Sequence, residues 1–368
     1  DEKKNRIILV RDRLGVKPLY YHIKNHKLLF ASELKVLLEH HEINPTINRN
    51  AISDYLTYLY VPAPETIFNE IKKLRPAEML VFNLDGNFSI KRYWSVEFQN
   101  TNQDEGDYAK QLRNLLEESI DLRMVSDVPV GILLSSGIDS SLVATLATKK
   151  SDDKLNTYTV GFEDIADSSY DELKESKDMA NILGTDHHEI IVNSNDAFKL
   201  LDKVSWYLDE PFGNPTTTLN YIISEFASRT SKVVLSGVGG DEMFGGYPKY
   251  KALKIFEDFG KFPKSFVKKF GTVFQKIPDK TSKSVVKGKI FFDSWKDNPE
   301  DQYFSLVSYF KENDKQELLN FKSLPSRRVI DELFLESKKC NASSFFEKLF
   351  FVENMSYLPN NILEYTDK

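Results

Sequence analysis

Two short segments of this sequence combine small hydroxyl side chains, glycines and one carboxylate in a way that suits phosphate binding. Residues 135–141 read Ser-Ser-Gly-Ile-Asp-Ser-Ser, and residues 236–242 read Ser-Gly-Val-Gly-Gly-Asp-Glu. Each follows a short apolar run that predicts a buried strand, and the first leads into a predicted helix. Serine hydroxyls and free backbone N–H groups at the positive end of a helix are the donors that a polyphosphate needs.

Each segment also carries an aspartate, Asp139 in the first and Asp241 in the second. A carboxylate in a phosphate loop would repel its ligand unless a divalent cation stood between the two negative groups. Asp139 therefore predicts Mg²⁺, and the two loops together predict one metal–triphosphate between them. Taken alone, either loop also suits an ordinary strand-to-helix turn capped by aspartate, and only their joint occurrence favours the phosphate site.

Two better-known phosphate motifs do not fit these segments. A Walker loop requires Gly-Lys followed by serine or threonine, whereas the Gly-Lys pair of this chain, Gly288–Lys289, is followed by Ile290. A dinucleotide fingerprint requires a third glycine where the second segment has Glu242.

The predicted secondary structure that positions these loops differs between the two halves of the chain. Residues 1–98 carry short β-rich runs separated by turn signals such as Asn25-His26 and Asp85-Gly86, which predicts an antiparallel sheet. Residues 99–106 are polar and predict a linker. From residue 107 strands and helices alternate, which predicts a doubly wound parallel sheet with ligands at the carboxyl ends of its strands.

Two further patterns concern the helices of the second region. Tyr108, Leu112, Leu115, Leu116 and Ile120 recur at helical spacing and predict one buried helix face. From Tyr250 onward the chain is rich in lysine and phenylalanine and helical in pattern, without a motif. We expect solvated helix faces over a core there.

Length and composition limit the alternatives. A chain of 368 residues with 41% hydrophobic content suits two globular domains, and a net charge of −6 gives no general attraction for nucleic acid or anionic lipid. The single cysteine, Cys340, excludes an internal disulfide, and no apolar run is long enough for a membrane span. These features favour the cytoplasm. The charged start without methionine leads straight into an apolar run, which predicts a fragment.

Taken together, the loops resemble a known family. The first resembles the pyrophosphate loop of the N-type ATP pyrophosphatases, and the pair, followed by Phe-Gly-Gly-Tyr, resembles the synthetase domain of glutamine-hydrolysing asparagine synthetases. The similarity covers nearly the whole chain, and residues 11–21, with 31–35 and 66–68, resemble the second half of that family's glutaminase domain. Further matching segments are residues 158–162, 183–189, 209–212 and 357–368.

The resemblance implies an architecture and a reaction. Residues 1–98 would be part of a class II glutamine amidotransferase domain, and residues 107–368 an ATP pyrophosphatase domain with a helical C-terminal part, truncated at its end. The β-carboxylate of aspartate would be activated by ATP and Mg²⁺ as an acyl-adenylate with release of pyrophosphate. Ammonia from glutamine would then displace AMP to give asparagine. The oligomeric state is left open, with a homodimer as the assembly considered.

The resemblance also implies roles for single residues. Leu134 and Val160 would contact adenine, and Asp12 would recognise the α-amino group of glutamine. Asp139 and Asp241 would hold Mg²⁺. The residues implied to bind or line the rest of the nucleotide are Ser135, Gly137, Ser140, Ser141, Ser236 and Gly237.

Three positions depart from the family pattern. The family's glutaminase nucleophile is an amino-terminal cysteine, which this sequence does not contain, and Cys340 lies in the wrong domain to replace it. Val238 stands where members commonly carry an acid that assists aminolysis as a base. Ser136 stands where glycine is usual.

Other functions are compatible with the same residues. Relatives form other amides or close β-lactam rings, so the acid substrate is open, and the Val238 departure also suits a non-catalytic ATP-binding relative. A tRNA-modifying ATP pyrophosphatase is disfavoured, because the charge balance is acidic and sulfur transfer needs cysteines.

Overall fold

The computed structural model describes residues 1–99, 103–163, 172–259, 272, 289, 295–296 and 298–367. These residues group into two units. Unit 1 comprises Asp1–Phe98 and Asp241–Asn360, and unit 2 comprises Gln99–Gly240 and Asn361–Lys368. The chain therefore leaves unit 1 after the β-rich segment, forms most of unit 2, returns to unit 1 at Asp241 and ends in unit 2 from Asn361 onward. The predicted domain limits, with a linker at residues 99–106, stay a prediction.

The first 98 residues form two three-stranded antiparallel sheets, ordered β1-β5-β6 and β3-β2-β4, as the β-rich pattern predicts. The hairpin turn at Asn25-His26 has positive φ at both residues, 50° and 58°, as a two-residue hairpin loop requires. Leu80 of one sheet and Tyr20 of the other are almost fully buried in the cores. The elements are β1 Arg6–Val10, β2 Tyr20–Lys24, β3 Lys27–Ala31, α1 Leu34–Leu38, α2 Arg49–Tyr58, β4 Lys72–Lys73, β5 Glu78–Asn83 and β6 Phe88–Arg92, after a 3₁₀ turn at Glu2–Lys4.

Unit 2 is built on a four-stranded sheet in which all neighbours are parallel. Strands and helices alternate as predicted, because each parallel strand needs a crossover to reach the next. A helix already begins at Glu105, inside the predicted linker. The elements are α3 Glu105–Met124, β7 Val130–Leu133, α4 Ile138–Thr148, β8 Asn156–Phe162, α5 Leu173–Leu183, β9 Asp186–Val192, α6 Ser194–Lys199, α7 Leu201–Leu208, α8 Thr216–Ala227, β10 Val233–Leu235 and α9 Gly240–Phe244.

Helices cover both faces of this sheet, so it is doubly wound. On one face Ile132 and Leu134 pack with Ala144 of α4 and Ala180 of α5. On the other face Tyr158 packs with α8. The strand order is β10-β7-β8-β9, so the direction of winding reverses between β7 and β10. Ligands of open α/β sheets bind at the carboxyl ends of the strands at such a switch point.

The predicted buried face of α3 is wrong in part. Ile120 is buried and Leu116 packs against the same core, but Tyr108 is 45%, Leu112 38% and Leu115 63% exposed. The residues do lie on one helix, as their spacing predicts. The buried part of that helix is narrower than predicted, because only the stripe containing Leu116 and Ile120 packs against the core of unit 2.

The C-terminal part is helical, as its pattern predicts. Within the described ranges no helix is long and apolar enough to cross a membrane. The helices returning to unit 1 are α10 Pro248–Phe259, α11 Pro299–Val307, α12 Glu312–Leu318, α13 Arg327–Ser337 and α14 Phe345–Met355, and they are followed by a π-helical turn at Leu358–Ile362 and by α15 Leu363–Asp367.

Candidate active site

The first loop connects β7 to α4, and the hydroxyl groups of two of its serines form a small hydrogen-bonded cluster, the hydroxyl hub. Ser140 is 6% exposed, and its Oγ lies 2.8 Å from Ser135 Oγ and accepts the Ser135 N–H at 3.0 Å. Ser135 Oγ also accepts the Gly137 N–H at 3.1 Å. These short-range bonds fix the curve of the loop before any ligand arrives. Ser141 lies in the first turn of α4, where the N-terminal end of the helix favours negative charge.

Asp139 also lies in the first turn of α4, and two glycines of the second loop pack directly against it. A Cβ added to Gly237 would lie 2.5 Å from Ser140 N and 2.7 Å from the Asp139 carbonyl carbon. A Cβ on Gly240 would lie 2.4 Å from Asp139 Cγ. No side chain fits at either position, so these glycines allow the two loops to meet. The structure thus brings the two predicted segments together at the switch point of the sheet.

The second loop turns tightly after β10. Gly239 has φ +97°, a conformation that favours glycine, and Gly240 N–H donates to Gly237 O at 3.3 Å. Ser236 is half-buried, and its Oγ accepts the Val238 N–H at 3.4 Å. Val238 is 41% exposed. The position where the family pattern has an acid is therefore open to solvent and apolar in this chain.

Asp241 begins the part of the chain that returns to unit 1. Its carbonyl accepts the N–H groups of Gly245 at 2.9 Å and Gly246 at 3.1 Å, and Gly246 has no room for a Cβ beside the Asp241 carboxylate. The next residue, Glu242, is 1% exposed and accepts a hydrogen bond from Tyr247 Oη at 2.5 Å. Burial raises the pKa of Glu242, although the Tyr247 hydrogen bond opposes this shift. The turn after Asp241 is thus held by backbone hydrogen bonds and by the hydrogen bond between half-buried Tyr247 and buried Glu242.

The two residues implied to contact adenine lie in unit 2, Leu134 directly after β7 and Val160 within the neighbouring strand β8. Leu134 is 2% exposed; its N–H donates to Tyr158 O at 2.9 Å and its carbonyl accepts from Thr159 Oγ1 at 2.6 Å. The Leu134 N–H and one lone pair of its carbonyl oxygen are therefore engaged within the sheet. Val160 is half-buried and packs against the cluster containing Tyr158 and Ile223.

Asp12 lies in a loop of unit 1 that its own side chain organises. Its carboxylate accepts the N–H groups of Leu14 at 3.2 Å, Val16 at 2.9 Å and Lys17 at 2.9 Å. The neighbouring Arg11 is 3% exposed and donates to three backbone carbonyls, which fixes the loop from the inside. A carboxylate accepts about four hydrogen bonds, so these three backbone donors leave one acceptor position of Asp12 unused by the loop.

Cys340 is buried in unit 1, where its Sγ lies 3.0 Å from Ser95 Oγ. A thiol packed in this way is structural rather than reactive. The expectation that Cys340 does not act as a glutaminase nucleophile stays a prediction.

The residues present suit Mg²⁺ better than a metal ion that takes all of its ligands from protein side chains. In the part of the chain that the structure describes, no group of three or more His, Cys, Asp or Glu side chains could hold a metal ion. Mg²⁺ needs only one or two carboxylates, because phosphate oxygens and water complete its coordination. The glycines packed against the Asp139 and Asp241 carboxylates leave their oxygens beside small residues, which suits such a ligand.

Two features of this site were not predicted from the sequence. One is the hydroxyl hub of Ser135 and Ser140, and the other is Glu172, whose Oε2 accepts the Ser136 N–H at 3.2 Å. The serines of this glycine-containing loop could have indicated the hydroxyl hub. No sequence signal links Glu172 to residue 136, because the contact spans 36 positions.

Comparison with known proteins gives two family matches. The profile described as asparagine synthase matches residues 111–368, and the profile described as glutamine amidotransferase domain matches residues 1–94. The first match covers well over half of the chain.

Curated relatives agree with these matches. The chain is similar to asparagine synthetase [glutamine-hydrolyzing] 1 of Bacillus subtilis, with 30% identity over 97% of this chain and 55% of the relative. It is 39% identical to a putative asparagine synthetase [glutamine-hydrolyzing] 2 of Methanocaldococcus jannaschii, over 67% of this chain and 48% of the relative. The chain thus spans about half the length of these relatives.

Among solved structures, an NH3-dependent NAD synthetase from Campylobacter jejuni aligns over 69% of this chain and 94% of its own, with 14% identity and a TM-score of 0.30. A likeness at this level carries no argument about this chain.

Proposed function

The chain belongs to the asparagine synthase family, and from that premise we propose that it is part of an enzyme that forms an amide at the expense of ATP. The proposed acid is L-aspartate, activated as β-aspartyl-AMP with release of pyrophosphate. Glutamine-derived ammonia then displaces AMP and gives asparagine. Since the chain covers about half of its curated relatives, this activity is proposed for the protein that contains it.

One observation carries the proposal. Gly237 and Gly240 of the loop after β10 lie against Ser140 and Asp139 of the loop after β7, at the point where the sheet reverses its winding. This close approach serves no packing of large side chains. It gathers hydroxyls, backbone N–H groups and one carboxylate where α/β sheets bind their ligands.

Within this site we assign roles to the chain's own residues. Ser135, Gly137, Ser140 and Ser141 donate to phosphate oxygens, and the N-terminal end of α4 stabilises their negative charge. The remaining proposed contacts are adenine on Leu134 and Val160, the nucleotide on Ser236 and Gly237, and the glutamine ammonium on Asp12.

We propose Asp139 and Asp241 as the ligands of Mg²⁺. Bound there, Mg²⁺ would neutralise phosphate charge while the acyl-adenylate forms. The two aspartates would hold the cation beside the phosphates, and the backbone turns around them keep the carboxylates in place.

Val238 supports a second candidate, a non-catalytic ATP-binding relative. Its exposed isopropyl group offers no proton acceptor to ammonia at the place where the family pattern has an acid. Such a protein would bind ATP without releasing pyrophosphate. A different carboxylic acid in place of aspartate is the remaining alternative.

One assay separates these candidates. The chain is incubated with Mg²⁺, ammonium and ATP. Parallel reactions contain aspartate, another carboxylic acid or no acid, and the pyrophosphate and AMP released are measured. Aspartate-dependent release of both, lost in Asp139→Asn, supports the proposal. Release with another acid alone would reassign the substrate, and ATP binding without release would favour the non-catalytic relative.

The cellular setting is also a proposal. One buried cysteine and no disulfide suit the reducing cytoplasm. A homodimer stays a prediction that sedimentation of the purified chain can test.

A further inference from the structure

One cavity lies wholly within unit 1 and has no place in the proposed reaction. It has a volume of about 350 Å³. One wall consists of residues 62–65 with Arg75, Pro76 and Arg92, and the other consists of residues at the start of α13 and the end of α14. Volumes of this order are typical of small-molecule sites.

The lining combines both signs of charge in equal number. Arg75, Arg92 and Arg328 face the same space as Asp54, Glu65 and Glu332. The pair Arg328–Asp54 is complete in itself, because the two guanidinium nitrogens lie 2.9 and 2.5 Å from the two carboxylate oxygens. Arg75 is also paired at both terminal nitrogens, with Glu332 at 2.9 Å and Glu336 at 3.3 Å. Arg92 and Glu65 are less fully matched.

Arg92 has an unmatched guanidinium edge. Its Nη2 donates to Glu336 Oε2 at 2.9 Å, but its Nη1 meets only the sulfur of Met355, at 3.1 Å. A thioether is a weak acceptor, and among the described residues Arg92 has no second oxygen acceptor. Its side chain is 22% exposed, so the guanidinium remains accessible from the cavity.

The carboxylate of Glu65 has one oxygen that accepts hydrogen bonds and one that accepts none from the described residues. Its Oε2 accepts from Asn48 Nδ2 and from Lys72 Nζ, both at 2.7 Å. No donor among the described residues reaches its Oε1. Its side chain is 31% exposed. One free carboxylate oxygen and one free guanidinium edge therefore line the same cavity.

We propose that this cavity binds a free α-amino acid as a zwitterion, with its carboxylate on Arg92 and its ammonium group on Glu65. Planar guanidinium groups pair with carboxylates through two parallel hydrogen bonds, and a carboxylate oxygen is the matching acceptor for an ammonium group. The lining carries three arginines and three carboxylates, a balance that matches a ligand with one charge of each sign.

The place of the cavity suggests what binding would do. The wall with Glu65 and Arg92 belongs to the region that matches the glutamine amidotransferase profile, and the opposite wall belongs to the region that matches the asparagine synthase profile. An amino acid in the cavity would contact both regions. This site goes beyond the proposed function, since the proposed ATP contacts and the proposed glutamine contact at Asp12 involve none of the residues that line this cavity.

The test is calorimetric titration of the purified chain with L-asparagine, L-aspartate, L-glutamine and glycine, without ATP. Acetate and methylamine serve as ligands that carry only one of the two charges. We expect Arg92→Met and Glu65→Gln each to weaken amino-acid binding roughly tenfold or more, the range for losing one charge-assisted hydrogen bond. Arg92→Lys should retain part of the affinity, and thermal melting of each variant confirms that it is folded.

Two control variants test whether the amino acid binds in this cavity rather than elsewhere on the chain. Arg123→Met removes an exposed arginine of α3, and Asp12→Asn removes the candidate glutamine carboxylate; both should leave binding of glycine and asparagine unchanged. The proposal is overturned if no amino acid binds, if Arg92→Met and Glu65→Gln both bind normally, or if Asp12→Asn abolishes binding. Loss in only one of the two cavity variants would also contradict a zwitterion site.

Discussion

Lys249 Nζ lies 2.8 and 2.7 Å from the two carboxylate oxygens of Glu353, whose side chain is completely buried. The same carboxylate accepts a hydrogen bond from Tyr303 Oη at 2.5 Å. The ammonium group also lies 4.2 Å from the ring centre of Tyr357 and 5.2 Å from that of Tyr247. This pair joins α10 to α14, shortly after the turn that carries Asp241.

We expect Lys249→Met to destabilise the protein by about 3 kcal/mol or more, because removing one partner leaves a buried, uncompensated carboxylate. Urea denaturation at neutral pH measures the change. The double variant Lys249→Met/Glu353→Gln should recover part of the loss, since it removes the stranded charge. Equal stability of Lys249→Met and the unaltered chain would show that the pair is not structurally important.

A second expectation concerns the contact between the loops. Gly237→Ala would place a methyl group 2.5 Å from the Ser140 backbone nitrogen, so the loops must separate. ATP affinity should fall roughly tenfold or more, the equivalent of losing one hydrogen bond to a charged group. Isothermal titration with Mg-ATP measures it.

Gly184→Ala is the matched control. Gly184 ends α5 with φ +70°, and nothing lies within 4 Å of an added Cβ. Its replacement should cost about 1 kcal/mol of stability through backbone strain while leaving ATP affinity unchanged. If Gly237→Ala binds ATP as Gly184→Ala does, the close approach of the loops is not needed for the nucleotide.

Glu242 predicts a pH dependence of stability. Burial raises the pKa of its carboxyl above the ordinary value of 4.5, so the folded state holds its proton more tightly than the unfolded state. Its contribution to stability is therefore present below pH 4.5 and is lost as pH rises through the folded-state pKa. Glu242→Gln, which keeps an acceptor for Tyr247 Oη, should gain stability relative to the unaltered chain between pH 4 and neutral pH.

Glu347 provides a control of opposite sign. Hydrogen bonds from the backbone of Ser344 and from Ser343 lower its pKa below 4.5, so its contribution is present above that value and is lost in acid. Glu347→Gln should lose stability at neutral pH and little at low pH. Parallel urea melts across this range test both carboxyls, and a pH-independent difference for Glu242→Gln would contradict the burial argument.

A fourth expectation follows from Val238. Val238→Glu should raise ammonia-dependent amide formation more than pyrophosphate release, because a positioned base typically contributes about 100-fold or more to proton transfer. ATP affinity should change little, since Val238 is assigned no phosphate contact. If both rates stay unchanged while ATP still binds, Val238 does not stand in for a missing catalytic acid.

The sequence predicted those parts of the fold that depend on local periodicity and on loop chemistry. The alternating strands and helices and the position of both loops at strand ends follow from hydrophobic spacing and from glycine, and they are observed. The resemblance added the family, which the matches confirm.

Long-range contacts could not be predicted in this way. The closeness of Gly240 to Asp139 joins positions 101 residues apart, and the pairing of Lys249 with Glu353 spans 104. Neither leaves a periodic signal in the sequence. The exposure of Leu115 was missed for the same reason, since spacing identifies a helix but not the width of the face that its neighbours cover.

The most direct test of the nucleotide site is titration of the chain with ATP in the presence of Mg²⁺ and again in EDTA. We expect binding in Mg²⁺ that weakens strongly in EDTA, and that weakens likewise in Asp139→Asn and Asp241→Asn because each replacement removes a charged oxygen ligand. The exposed Asp152→Asn is the control and should bind as the unaltered chain does. Equal affinities with and without Mg²⁺, or full affinity in both loop variants, would contradict the two-aspartate site.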